Sequence, residues 1–250
     1  MMYLTEVSMW DVVKKQFRFK LKSFRGMFTS LIVLQIIGIL LSLNGDGMSG
    51  GGSSSNFFSH TLTYYSGNVI FGFVMIWSFI SAILMTTRGY RYDDYSFVTD
   101  KLTGHFSNIL FLLAASFISG ITILLANRVV ILIIYLFQDN VSMTGQPLTF
   151  KGAVFGMIGI TLYIFLLASF GYLAGSLVQI SKIFIMILPV VVIGGIFYEA
   201  RLTGDPSLVP NVFSFFGMED SIILFMLKVL LVSGLSWVAA ILSSMKLEVK

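Results

Sequence analysis

One feature repeats along this chain: apolar stretches long enough to cross a lipid bilayer. A hydrocarbon core about 30 Å thick takes about 20 predominantly apolar residues per helical crossing, and the sequence supplies that length several times over. Mean hydropathy is +0.91, with 56% hydrophobic and 11% charged residues, against about 25% charged residues in soluble domains. Backbone groups in lipid have to satisfy their own hydrogen bonds, which long apolar runs do as helices. The expected fold is therefore all-α, a polytopic membrane bundle, with its chemistry confined to the few polar residues left.

Six spans are expected, over about 27–43, 69–87, 108–137, 152–176, 180–198 and 221–244. The third run is too long for one crossing: 30 residues make a helix of about 45 Å at 1.5 Å per residue. The preferred reading is one long helix with Arg128 near the outer headgroups, and the rival is a span to Ala126 followed by a re-entrant piece. Pro189 and Gly194–Gly195 predict a kink or break in the fifth span. Between the first two spans, Gly45 to Ser55 form a Gly/Ser tract expected to be irregular.

Residues 1–26 precede the spans. Trp10, Val13, Phe17, Leu21 and Phe24 recur at spacings of three and four, which places them on one helix face. Lys14, Arg18, Lys22 and Arg25 form a basic stripe beside it, with Lys15 and Lys20 nearby. That pattern predicts an amphipathic helix along the membrane surface, its apolar side in the acyl boundary and its cations at the phosphates. The alternative is a helix packed on a soluble partner. No short apolar core with a cleavage pattern appears here, so a secretory signal is not expected.

Composition narrows the chemistry. The 250 residues contain no cysteine and only His60 and His105 as histidines, so thiolate chemistry is excluded and a metal centre is not expected. The net charge of +4 lies beside apolar spans, which points to anionic lipid headgroups rather than nucleic acid. Residues 45–50 spell G-x-G-x-x-G, and 47–51 spell G-x-S-x-G around Ser49. The first needs a strand-to-helix turn and the second a base and an oxyanion hole. A flexible loop between spans offers neither. The dipeptide Gly-Lys does not occur, so there is no phosphate-binding P-loop.

The connection at 88–107 is unusual. Between Thr87 and His105 it holds three acids, three bases and four aromatics, namely Tyr90, Tyr92, Tyr95 and Phe97. Aromatics with arginine are typical interface anchors, while tyrosine also suits the headgroup belt. A docking surface for a soluble partner is the favoured reading. In or near the spans, Arg128, Glu199 and Lys228 are candidate pathway residues, because ionisable groups at depth are functional by default. Snorkelling at the interface, or pairing of Lys228 with Glu199 or Asp220, is the plain alternative. Small residues four apart (Ser116 with Gly120, Gly152 with Gly156, Gly171 with Gly175) predict close helix contacts. Lys/Arg bias puts both termini inside, leaving only Arg128, Lys151, Arg201 and Lys228 of the 16 basic residues on or near the other side.

This order of parts resembles the permease subunit of type-2 ATP-binding-cassette (ABC) exporters, of the small kind found in Gram-positive bacteria. The resemblance runs along the whole chain and is architectural; Tyr95-Ser-Phe-Val-Thr-Asp-Lys-Leu-Thr-Gly-His-Phe-Ser-Asn-Ile-Leu110 is the part most similar to such permeases. It implies an elbow helix over 1–26 (membrane-interface residues Trp10, Lys14, Phe17, Arg18, Lys22 and Arg25) and a six-span domain over 27–250. It also implies that 88–107 is a coupling segment in which Tyr90, Arg91, Tyr92, Asp94, Tyr95, Phe97, Asp100 and Lys101 meet an ATPase. Two ATPase copies and a second permease copy, or a homologous permease, would complete the transporter. ATP and Mg would be bound by the ATPase, and this chain would bind no cofactor and catalyse no reaction. The implied location is the plasma membrane, with both termini cytoplasmic, and the implied cargo is a hydrophobic or amphipathic peptide, antibiotic or lipid. The long run through Arg128 and the short fifth span depart from a simple six-helix pattern. A secondary transporter and a non-transporting immunity or scaffold protein stand as alternatives.

Overall fold

The computed structural model of the chain describes residues 8–43, 67–87, 101–137, 149–203 and 221–245, with short pieces at 49–50, 54–55, 58–59, 62–63, 89–90, 211 and 214–216. The architecture is all-α. Its helices are α1 (Met9–Ser23), α2 (Arg25–Ser42), α3 (Asn68–Thr86), α4 (Lys101–Phe137), α5 (Phe150–Ile180), α6 (Phe184–Thr203) and α7 (Ile222–Met245). Among the described residues, α2, α3, α4, α5 and α7 are long and apolar enough to cross a membrane, and α6 is a shorter apolar helix over Phe184–Glu199. Large apolar side chains such as Leu40, Ile76, Leu125, Met186 and Leu235 are exposed. Lipid is the solvent that accepts such a surface. The protein is thus a multi-pass membrane bundle by helix length and composition.

The chain enters α1 at Ser8, whose carbonyl accepts from the amides of Asp11 and Val12. Serine is favoured at that position. Asp11 in the first turn and Lys20 and Lys22 in the last suit the helix dipole. A single residue, Phe24, separates α1 from α2, and its carbonyl accepts the Met27 amide at 3.0 Å. The first span therefore begins at Arg25, two residues before the apolar run itself does.

α4 is one unbroken helix of 37 residues, about 55 Å long, so the re-entrant alternative falls away. It also starts at Lys101 rather than near Asn108, which takes His105 into its second turn. α6 continues through Pro189 and Gly194–Gly195 without a break, and Pro189 removes one ladder hydrogen bond. In the Gly/Ser tract, β1 (Ser49–Gly50) pairs antiparallel with β4 (Leu62–Thr63), and β2 (Ser54–Ser55) with β3 (Phe58–Ser59). These two-residue pairings are too short to stand as a sheet. They put Ser49 in a hairpin, not in the strand-to-helix turn that a nucleotide or nucleophile motif requires.

The residues group into two compact units, through both of which α3, α4 and α5 run. One unit combines Phe24–Trp77 with Ala115–Ile164. In it Trp77 Nε1 donates to Ser30 Oγ (2.9 Å), and Gln35 Nε2 donates to Thr122 Oγ1 (2.7 Å). A Cβ on Gly38 would sit 3.1 Å from Ile70 Cγ1, so α2 and α3 approach closely there.

The other unit combines α1 with Ser78–Ala114 and the chain from Phe165 onward. Tyr172, late in α5, and Ser244, at the end of α7, both meet His105 at the start of α4. α5 and α7 therefore finish at the end where α4 begins. α7 has 24 residues, about 36 Å, and the chain leaving α5 at Ile180 has to cover that length before it enters α7 at Ile222. Among the described residues, α6, at 20 residues or about 30 Å, is the longest helical segment in that stretch. Its apolar window, Phe184–Glu199, is shorter than those of the five membrane-length helices.

Candidate functional site

Periodicity predicts that α1 turns Trp10, Val13, Phe17, Leu21 and Phe24 together toward one apolar environment. The structure keeps Val13 and Phe24 of that stripe buried and leaves Trp10 out. Val13, Gln16 and Lys20 are the buried residues of α1, Phe17 and Leu21 lie half-buried beside them, and Trp10 is 59% exposed, with its ring 6.1 Å from Phe106. Lys20, read from sequence as part of the basic surface, is 1% exposed and points inward. Lys14, Lys15, Arg18 and Lys22 remain exposed, as does Arg25 at the first position of α2.

Burying an ammonium group is costly unless hydrogen bonds replace its hydration. Here Lys20 Nζ donates to Ser107 Oγ at 2.6 Å and to Asn108 Oδ1, both on α4. Ser107 Oγ in turn donates to the Gly104 carbonyl at 3.2 Å. Asn108 Nδ2 passes the connection on, donating to Tyr172 Oη on α5 at 3.1 Å. Tyr172 Oη lies 2.7 Å from His105 Nδ1, and His105 Nε2 lies 2.9 Å from Ser244 Oγ on α7. Lysine, asparagine, tyrosine, histidine and serine thus link α1 to the start of α4, the last third of α5 and the end of α7.

The polarities of this chain agree. With His105 neutral and protonated on Nε2, the Tyr172 hydroxyl accepts from Asn108 and donates to Nδ1; the other tautomer reverses the bonds to Tyr172 and Ser244. In that first tautomer Nε2–H donates to Ser244 Oγ. Aromatic contacts hold the tyrosine in place. The His105 ring meets it edge-on at 5.9 Å and 81°, Trp237 packs at 4.6 Å and 42°, and Phe165 stacks on Trp237 at 6.1 Å. Trp237 is buried with its Nε1 lacking a hydrogen-bond partner among the described residues. Beyond Tyr172, α5 lies against α3: Gly171 and Gly175 admit Phe79, Ile83 and Thr86, and Gln179 Nε2 donates to the Thr86 carbonyl.

No family model, curated protein or solved structure matches this chain. Function has therefore to be argued from its own residues.

The other residues singled out from sequence fall as follows. Arg91, Tyr92, Asp94, Tyr95, Phe97 and Asp100 lie outside the described residues. Tyr90 is half-buried in a helical piece at 89–90, and Lys101 opens α4. Arg128 is exposed on α4 and Glu199 half-buried on α6. Lys228 on α7 reaches the Phe215 carbonyl at 3.4 Å and lies 4.3 Å over the Phe215 ring. That contact gives the Lys228 charge a polar and a π partner. No group of three or more potential His, Asp or Glu metal ligands forms among the described residues.

The polar network itself is invisible to sequence reading. Lys20 and Asn108 are 88 positions apart, and nothing local to either announces the other. The one available signal was a lysine four residues after Gln16 and seven after Val13, on the side that becomes buried.

Proposed function

We propose that this chain is the membrane permease subunit of an ATP-driven exporter of the ABC type. It pairs with a second permease copy, or a homologue, and is driven by two copies of a separate ATPase. The carrying observation is the order of parts: a basic amphipathic helix joined through one residue to the first of six apolar helices, in a sequence without a P-loop. The return path through α6 supports an even number of crossings. The Lys/Arg bias then supports a plasma-membrane orientation with both termini in the cytoplasm.

In this reading the connection at 88–107 is where force enters. ATP binding closes the ATPase pair, which pushes on the segment immediately before α4. The first two turns of α4 carry His105, Ser107 and Asn108, so a push there is felt by α1, α5 and α7 through the hydrogen bonds already described. A stimulus shifts a conformational equilibrium only through contacts that differ between its states, and that network is a set of contacts able to differ. The apolar interior fits a hydrophobic or amphipathic cargo, such as a peptide, an antibiotic or a lipid.

The test is to purify the tagged chain from its native membrane and assay the preparation for vanadate-sensitive ATP hydrolysis. An ATPase is expected to copurify. Replacing Tyr95, Phe97 and Asp100 together by alanine is expected to lower cargo export at least about tenfold while the bundle stays folded, as loss of interface anchors does. Purified chain that moved cargo alone, or export unchanged in the triple variant, would overturn the proposal.

One observation favours a secondary transporter instead. Histidine and lysine linked inside a bundle resemble the relays of proton-coupled carriers. Those sites lie near the bilayer midplane, whereas His105 is about 20 Å along the axis from the midpoint of α4. Uptake driven by a pH gradient in vesicles containing only this chain would decide for that reading.

A further inference from the structure

α1 has two differently employed sides. Val13, Gln16 and Lys20 are buried, and Lys20 is held by Ser107 and Asn108. At 3.6 residues per turn, Lys14, Lys15, Arg18 and Lys22 project from the opposite side, where all four are exposed. The only acid in α1, Asp11, lies on the same outward side, so that side carries four cations against one anion. Trp10 and Phe19 flank it, both exposed. One residue beyond α1 the chain turns into the first apolar helix, beginning with the exposed Arg25.

We propose that the outward side of α1 is a docking surface for anionic phospholipid headgroups, held in fixed rotation by the buried Lys20. Charge complementarity selects the occupant: three net positive charges on one helical side match lipid phosphates that carry an uncompensated negative charge, and a zwitterionic headgroup offers no such excess. Position selects a lipid over a soluble acidic protein, because α1 is joined within one residue to a membrane-length helix whose start fixes it near the headgroup layer. Exposed Trp10 and Phe19 supply the apolar flank that an interfacial helix inserts beside its cations. Lys20 adds rotational definition. With its ammonium committed to α4, the helix cannot roll to bring the cationic side against the protein. This inference stands apart from the exporter reading, since it concerns how α1 reads its bilayer whatever the bundle transports.

Tryptophan fluorescence tests it on the intact chain. Trp77 and Trp237 are buried whereas Trp10 is exposed, so the difference between the wild-type protein and Trp10→Phe isolates the Trp10 emission. The protein is reconstituted in bilayers of phosphatidylcholine with a minor share of phosphatidylglycerol, with bromine on the acyl chains of one lipid or the other. Trp10 quenching is expected to report local phosphatidylglycerol enrichment of at least about threefold over bulk, falling toward unity in 1 M salt. The variant K14Q/K15Q/R18Q/K22Q is expected to lose the enrichment with its fold intact, since those side chains are exposed. K20M is expected to reduce it while keeping every outward cation. Equal quenching by both brominated lipids, or enrichment that survives in the quadruple variant, would overturn the proposal. Enrichment lost in the quadruple variant but unchanged in a folded K20M would overturn the part assigned to Lys20.

Discussion

Replacing Asn108 by leucine is expected to destabilise the protein more than replacing Lys20 by methionine. The two substitutions remove the same hydrogen bond from opposite sides. In N108L the ammonium of Lys20 stays buried and loses an acceptor, and Tyr172 Oη loses a donor. A hydrogen bond to a charged group is worth about 1.5–3 kcal/mol, and a buried charge that loses one keeps its desolvation cost. In K20M the charge goes with the bond, and an unbranched apolar chain of similar length fills the space, which usually costs under about 1.5 kcal/mol. The double variant K20M/N108L is expected to be more stable than N108L alone, because the buried charge short of an acceptor is gone; such non-additivity marks direct coupling. Thermal unfolding in detergent, followed by size-exclusion monodispersity, measures all three. If N108L and K20M cost the same and add simply, Lys20 is not held as described.

That ordering shows where the sequence was legible and where it was not. Five spans could be read because the membrane demands runs of about 20 apolar residues, and a soluble core does not supply so many of them. Even the 37-residue α4 was foreseeable in kind, since the run past Ala126 held only Asn127 and Arg128 as polar interruptions. α1 was foreseeable as an amphipathic helix, but not the direction it faces. Periodicity ranks faces by hydrophobicity, and it set Trp10 on the face toward the acyl boundary and Lys20 among the surface cations. The bundle turns Lys20 inward, because its ammonium reaches acceptors on α4, and Trp10 is exposed, as a tryptophan with a lipid-facing role can be. His105 was assigned to a polar connection because helix α4 begins before its apolar run does, at Lys101. The candidate pathway residues were chosen for charge alone. Charge does not say what a side chain touches, and Lys228 proves to rest on Phe215.

The three small-residue pairs, alike in sequence, are expected to separate into three classes on substitution by alanine. A Cβ on Gly171 would collide with the Phe79 backbone carbonyl, and one on Gly175 with Thr86 and with the α3 backbone at Ile83. Backbone cannot swing aside, so G171A and G175A each force α5 away from α3 and are expected to cost about 1–3 kcal/mol. They also strain the reach of Gln179 to the Thr86 carbonyl and the placement of Tyr172, one residue from Gly171. On Gly120 the obstacle is the Thr161 hydroxyl, which a side-chain rotation moves, so G120A is expected to cost about 1 kcal/mol or less. Nothing lies within 4 Å of a Cβ on Gly152 or Gly156. There alanine adds helix propensity at no steric charge, and G152A and G156A are expected to be neutral or to stabilise by up to about 1 kcal/mol. Unfolding midpoints for the five variants in one detergent check the series. A large loss at Gly152 or Gly156 would mean that a second chain packs on that face of α5. Tolerance at Gly171 would mean that α3 and α5 do not touch backbone to backbone, and with it would go the support that holds Tyr172 against His105.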